Sequence, residues 1–258
     1  MDKLEAIKLL YESESKHASY QVLSDRLSRL MQLPKTPAIS RYEKERLNFI
    51  LQYIEPINKT IIDIGGNTGF FSHEFLEANA HHVTYFEGNK THAKFVDLAS
   101  NILGYHEKIE IIGDYYTFEN NNDTHKFDVG LLLNVLHHVG DDYGNKNYSI
   151  IQAKEKIINQ LNFLSSRVST LIFQLGYNWK GDKDRCLFNN GTKQEQIDFI
   201  KEGIGKYWNI ETIGVAVDKK EVIVYEPLSE NNIERNDRLG EFLNRPIFIL
   251  KNICHDKN

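Results

Sequence analysis

From Lys59 onward, short apolar runs alternate with longer segments whose apolar side chains recur every three or four positions. The runs Thr60–Ile64, Val83–Phe86, Ile109–Ile112, Phe127–Leu133 and Ser169–Leu175 predict buried strands. Between them, Phe70–Asn79, His92–Leu103 and Tyr148–Leu164 predict helices. Thr192 and Glu195 have the spacing of a capping box, opening a helix with Ile197, Ile200 and Ile204 on one side and Gly203 and Gly205 as its stops. Strands at Asn209–Val217 and Ile247–Leu250 follow. This alternation predicts an α/β fold: a Rossmann-like, doubly wound, mostly parallel seven-stranded sheet with helices on both faces.

The flanks read differently. Residues 1–40 predict short helices broken near Leu33-Pro34 and Pro37, an N-terminal helical lid. Arg41–Ile54 predicts an amphipathic helix with Leu47, Ile50, Leu51 and Ile54 on its apolar face, ended by Pro56. The main domain then spans 41–258, with an insertion at about 218–245 that holds a strand-like piece at Glu221–Tyr225. Glu119–Asp123 reads as a polar, asparagine-rich loop, and there are no internal repeats.

Composition narrows the class. The chain has 258 residues, 41% of them hydrophobic, enough for one substantial core. No window reaches the roughly 20 apolar residues of a membrane span. Met1–Lys8 lacks the apolar block of a signal peptide. The two cysteines, Cys186 and Cys254, have no metal-ligand spacing, which fits a reducing cytoplasm. A net charge of −5 argues against a nucleic-acid partner, because phosphate contacts favour a basic excess.

The most informative segment is Thr60-Ile-Ile-Asp63-Ile-Gly65-Gly66-Asn67-Thr68-Gly69-Phe70-Phe71. A buried strand runs into a glycine-rich turn that opens a helix, so the backbone can approach a ligand and aim N–H groups at it. A dinucleotide fingerprint fails here, since Asn67 and Phe70 occupy its second and third glycine positions. Glu87 ends the second strand, close to the roughly 20-residue offset at which an acid meets ribose hydroxyls, and Gly88 and Asn89 follow it. Asp114 and Tyr115 end the third strand. The fourth ends in Asn134-Val-Leu-His137-His138, and ligands of doubly wound sheets bind beyond such strand ends. Asn134 is therefore expected beside the reacting group.

The acid-x-Gly-x-Asn-x-Gly pattern resembles the first motif of class I S-adenosylmethionine-dependent methyltransferases. The resemblance implies that Asp63 lies by the amino-acid end of the cofactor and that Gly65, Gly66, Asn67 and Gly69, with Phe70 and Phe71, make room for it. It also implies that Asp114 reads the adenine amino group while Tyr115 or Tyr116 covers the ring. The strand ending Asn-Val-Leu-His-His, with Phe70-Phe71 after the loop, is similar to methyltransferases of bacterial capsular and O-antigen polysaccharides. That likeness runs from about Arg41 to Leu175, and more loosely through Arg245–Lys251. It implies a cofactor contact from Arg46 on the helix before the first strand.

The chemistry so implied is displacement of a sulfonium-activated methyl group by an acceptor oxygen. A sugar hydroxyl needs a base, and histidine, with an ordinary pKa of about 6.5, suits that task. His137 is the first candidate and His138 the second; neighbours on a helix diverge by roughly 100 degrees, so one should face the site and the other the scaffold. Gln174, Tyr177 and Arg185, at and beyond the fifth strand, are expected to contact a sugar, nucleotide-sugar or glycan acceptor, arginine being suited to phosphate. No metal is expected: His137, His138, Asp141 and Asp142 match magnesium's preference for oxygen poorly. The reading is O-methylation of a sugar or a sugar-linked phosphate group in surface polysaccharide synthesis. The alternatives are an RNA or small-molecule methyltransferase, or an inactive cofactor-binding partner subunit.

Overall fold

A computed structural model of the chain describes residues 3–12, 21–32, 41–119 and 125–253. The expected breaks at Leu33-Pro34 and Pro37, most of the loop up to Asp123, and Cys254 lie outside them. The chain divides into two compact units, residues 1–47 with 54–116, and residues 48–53 with 117–258.

In the first unit, β1 (Thr60–Ile64), β2 (His82–Phe86) and β3 (Ile109–Ile112) form parallel ladders in the order β3-β2-β1, with Asp63 opposite Tyr85. Ile61, Val83 and Tyr85 are fully buried, as continuous apolar runs in a covered parallel sheet should be. Each such side chain contributes about 1.5–3 kcal/mol. The crossovers are α4 (Phe70–Glu77) and α5 (Lys90–Leu103). The Asn89 side chain accepts the Thr91 and His92 backbone N–H groups at 3.0 and 3.4 Å, so α5 starts two residues before the apolar pattern does. Helices α1 (Lys3–Glu12) and α2 (Asp25–Met31) pack in the same unit: Tyr11 lies 5.7 Å from Phe95, and Arg26 donates to Glu77 and to the Tyr105 hydroxyl.

The helix expected over Arg41–Ile54 is shorter, α3 (Glu43–Ile50). Its end tightens into three-residue bonds, Gln52 N–H to Phe49 O and Tyr53 N–H to Ile50 O, so Leu51 is exposed rather than on the apolar face. Phe49, passed over in the apolar pattern, is buried instead.

The second unit holds β4 (Phe127–Leu133), α6 (Ile150–Phe163), β5 (Val168–Gln174), α7 (Lys193–Ile204), β6 (Trp208–Lys219), β7 (Val222–Pro227), α8 (Gly240–Leu243) and β8 (Ile247–Asn252). Strand order is β4-β5-β8-β6-β7; β4 and β5 are parallel, and the other three pairings are antiparallel. The capping box of α7 is present, Thr192 Oγ1 accepting Glu195 N–H at 3.2 Å and Glu195 Oε2 accepting Thr192 N–H at 3.2 Å.

The described residues therefore carry eight strands rather than seven, and the antiparallel pairings all lie in the second unit. The extra strand is β7, read from the sequence as part of an insertion. It forms a hairpin with β6 through a two-residue turn in which Lys220 and Glu221 have φ of 57° and 70°. Such turns favour Asn-Gly, so Lys-Glu gave no hairpin signal. The Asp218 carboxylate accepts the Glu221 N–H at 2.7 Å and offsets part of the strain. Among the described residues, no helix is long and apolar enough to cross a membrane.

The turn gives a direct test. Glu221→Gly removes a side chain from a left-handed position and is expected to stabilise the protein by about 0.5–1 kcal/mol in chemical denaturation. A destabilisation of that size would contradict the turn.

Candidate functional site

In the first unit, a glycine-rich loop connects β1 to α4. Its backbone is left-handed at Gly65, Asn67 and Gly69, with φ of 74°, 52° and 77°. Asn67 takes a left-handed conformation that glycine adopts readily and that asparagine can also adopt. Gly66 is needed for space: a Cβ there would lie 2.4 Å from the Tyr85 ring and 2.8 Å from Asp63 Oδ2.

Two carboxylates hold this loop. Glu87 Oε2 accepts the Asn67 N–H and Oε1 accepts the Asn89 N–H, both at 2.8 Å, tying the loop to the start of α5. Asp63, only 5% exposed, accepts the Ser72 hydroxyl at 2.7 Å through Oδ2. Burial pushes the Asp63 carboxyl up to about 7; Ser72 opposes this, and the charge on Glu87 adds to it. Tyr85 donates its hydroxyl to the Asn67 carbonyl and, buried beside both acids, is itself raised well above its ordinary range.

The other expected members lie around this core. A Cβ on Gly88 would meet the Tyr115 ring at 2.2 Å, so that ring lies flush against the strand end while 45% exposed. Asp114 accepts the Tyr115 N–H at 2.8 Å, and Tyr116 packs edge-on against Phe86. Arg46 is buried, its guanidinium 5.1 Å from the Phe71 ring centre and 3.9 Å from Glu43. Phe70 packs edge-on against Phe71.

Sequence reasoning missed three members of the loop's support, Tyr85, Ser72 and Gln21. Tyr85 and Ser72 lie within the quoted strand and helix, where they read as ordinary core and helix positions. Gln21 is 49 positions from Phe70 in sequence, yet its side-chain oxygen accepts the Phe70 N–H at 3.0 Å and the Thr68 hydroxyl at 3.2 Å.

The second unit brings together a different set. Asn134 has φ of 63°, donates from Nδ2 to Gln174 Oε1 at 2.9 Å and accepts from Arg245 at 2.8 Å. Gln174 Nε2 closes the ring on the Arg245 carbonyl at 2.9 Å. Glu241 receives Arg245 through two bonds, at 3.0 and 2.5 Å. Burial alone would raise the Glu241 carboxyl, but Arg245 outweighs it and holds it below the usual range.

This network changes the reading of the expected acceptor contacts. Gln174 is fully buried with both amide ends engaged, and Tyr177 is buried with its hydroxyl on the Asn244 carbonyl at 2.8 Å. The polar groups of both side chains are engaged within the protein. Arg185 lies apart, exposed, 3.2 Å from Asp182 and 5.8 Å from the centre of the Trp179 ring.

The histidine pair sits in a single tight turn, Leu136–His138, and the rings do not diverge: their centres are 4.2 Å apart. They differ in surroundings. His137 is 3% exposed and its Nδ1 accepts the Gly176 N–H at 3.3 Å, which places the proton of the neutral ring on Nε2. His138 is more open, with Nδ1 3.4 Å from Asp142 Oδ2. His138, Asp141 and Asp142 also bring one potential ligand atom each to within 4.8 Å of one another.

Against known proteins, no family model matches the chain and no curated protein is similar to it. Solved structures do match. A crystal structure of WbdD, a bifunctional kinase-methyltransferase, has a TM-score of 0.61 at 12% identity, covering 95% of this chain and 46% of that one. The chain thus spans about half of that protein's length. Magnesium protoporphyrin IX methyltransferase (ChlM) from Synechocystis PCC 6803, solved with bound SAM, has a TM-score of 0.53 at 11% identity over 97% of each chain. The fold is the one these structures share. It is the Rossmann-like α/β class expected from the sequence.

Asp63 supplies a stability test. Its folded pKa lies above its unfolded one, so the unfolded chain gives up this proton first and stability falls as pH rises from about 4 to about 7. Asp63→Asn, which keeps an acceptor for Ser72, is expected to match wild type below pH 4. At pH 8 it should be more stable by a few kcal/mol in the ligand-free protein. Equal loss of stability in the variant at both pH values would rule out a buried, protonated Asp63.

Proposed function

We propose that the chain is an S-adenosylmethionine-dependent O-methyltransferase. The acceptor is an oxygen of a sugar, or of a sugar-linked phosphate group, in the synthesis of a capsular or O-antigen polysaccharide. The observation that carries the cofactor assignment is the pair Asp63 and Glu87. Two carboxylates at adjoining strand ends raise each other's cost of ionisation, and a cationic ligand relieves both. A sulfonium amino acid joined to a nucleoside has the needed charge, hydroxyls and ring.

The residues fit that ligand. Asp63 suits the amino-acid end and Arg46 its carboxylate. Glu87, at the end of β2 and tied to Asn67 and Asn89, suits ribose hydroxyls. The exposed Tyr115 ring suits the adenine face, and Asp114 its amino group. When bound, the cofactor supplies a methyl carbon activated by positively charged sulfur.

The chain's own residues then manage the acceptor. His137, in its neutral form, has its basic nitrogen Nδ1 engaged by the Gly176 N–H. His138 is the more open of the pair, with Nδ1 3.4 Å from Asp142 Oδ2, and is the residue we assign to take the acceptor's proton. Asn134, fixed by Gln174 and Arg245, stands at the end of the same strand as a rigid polar group. No step uses a metal.

The glycan class is supported by the sequence likeness of the Asn134–His138 strand end to polysaccharide methyltransferases, and a methyltransferase reading by the fold shared with WbdD, a bifunctional kinase-methyltransferase. The negative net charge of −5 disfavours RNA.

Transfer of labelled methyl from S-adenosylmethionine to a panel of nucleotide sugars and glycan fragments, with tRNA as a separate arm, tests this reading. His138→Gln is expected to lower turnover by about 100-fold or more with cofactor affinity retained, and His137→Gln to act mainly on stability. Full activity in His138→Gln would remove it as the base. Labelling of tRNA alone would overturn the glycan class, and activity lost to a chelator and restored by magnesium would reassign His138, Asp141 and Asp142 as ligands.

A further inference from the structure

The glycine loop has two flanks, and different residues hold them. The Asn67 flank is fixed by Glu87, which accepts its N–H at 2.8 Å, and by the Tyr85 hydroxyl on its carbonyl. The Thr68–Phe70 flank is fixed by Gln21, whose single oxygen accepts the Phe70 N–H at 3.0 Å and the Thr68 hydroxyl at 3.2 Å. Two donors converging on one atom require the oxygen there, which fixes the orientation of the amide. The Phe70 N–H is the first of α4, a donor with no partner inside the helix. Asp63 lies next along this flank, through its bond to Ser72 at 2.7 Å.

Gln21 is held firmly. It is 8% exposed, and the helix that follows it is anchored to α4 and α5. The Asp25 N–H donates to Glu74 at 2.9 Å, Asp25 pairs with Lys44, and Arg26 donates to Glu77 and Tyr105 at 3.2 Å each. The acceptor thus comes from a segment fixed to both helices that flank β2, rather than from a free end.

We propose that Gln21 is a positioning residue for the amino-acid end of the cofactor. It shapes the Thr68–Phe70 flank beside Asp63 and leaves the nucleoside flank to Glu87 and Tyr85. The proposal rests on the cofactor reading above. It assigns the N-terminal segment a part in cofactor selection, distinguishing ligands that carry the amino-acid portion from those that lack it.

Two uncharged-sulfur nucleosides test it by calorimetry: S-adenosylhomocysteine, which has the amino-acid portion, and methylthioadenosine, which does not. Gln21→Ala and Gln21→Met are each expected to weaken S-adenosylhomocysteine binding roughly tenfold while methylthioadenosine stays within about twofold of wild type. Retained methylthioadenosine binding also certifies a folded site. Unchanged S-adenosylhomocysteine affinity, or equal loss for both compounds, would overturn the proposal. So would loss in Gln21→Ala with full affinity in Gln21→Met, since methionine keeps the bulk but not the acceptor. A wild-type chain that binds methylthioadenosine but gains nothing from the amino-acid portion overturns this proposal alone; one that binds neither compound overturns the cofactor reading and this proposal together.

Discussion

A carboxyl group held out of water at the end of β1, Asp63, with the part-buried Glu87 beside it at the end of β2, is the constraint on which the first unit depends. Glu87 spends its oxygens on the backbone of the glycine loop and of α5, and Asp63 spends one on Ser72. The Ser72 bond does not pair Asp63 with a cation. A buried carboxylate without a compensating charge costs several kcal/mol or takes up a proton, and Asp63 is pushed toward the second outcome. The fold tolerates this because the same groups set the loop: without Glu87 the left-handed Asn67 loses its anchor, and without Asp63 the start of α4 loses an acceptor.

The second unit follows a different logic. There the charges are matched, Arg245 against Glu241, and the pair is extended through Asn134 and Gln174 into a closed ring of hydrogen bonds. A satisfied buried network of this kind favours one geometry over its alternatives. It fixes the end of β4, from which the turn bearing His137 and His138 departs. The two histidines look equivalent in sequence and are made unequal by one backbone N–H, that of Gly176.

Much of this was legible in the sequence where the physics is local. The glycine loop, the acid at the end of β2 and the capping box of α7 each depend on residues within a few positions of one another, or on a strand-helix-strand spacing. What escaped depends on distant partners. Gln21 meets Phe70 only through the fold, and the burial of Gln174 is set by Arg245, which is 71 positions away. The hairpin pairing of β7 with β6 escaped for another reason: its turn uses Lys220 and Glu221 in a conformation that their side chains disfavour. Leu51 shows the limit of periodicity, since a helix that tightens in its last turn rotates the expected apolar position into solvent.

The account turns on Asp63 being held partly protonated until a cation arrives. Calorimetry of S-adenosylhomocysteine binding in buffers of different ionisation enthalpy, at a pH near 7, measures this directly. Release of about half a proton per molecule bound is predicted, shrinking as pH rises and absent in Asp63→Asn. Binding with no proton released at any pH, and with the same affinity in Asp63→Asn, would contradict it.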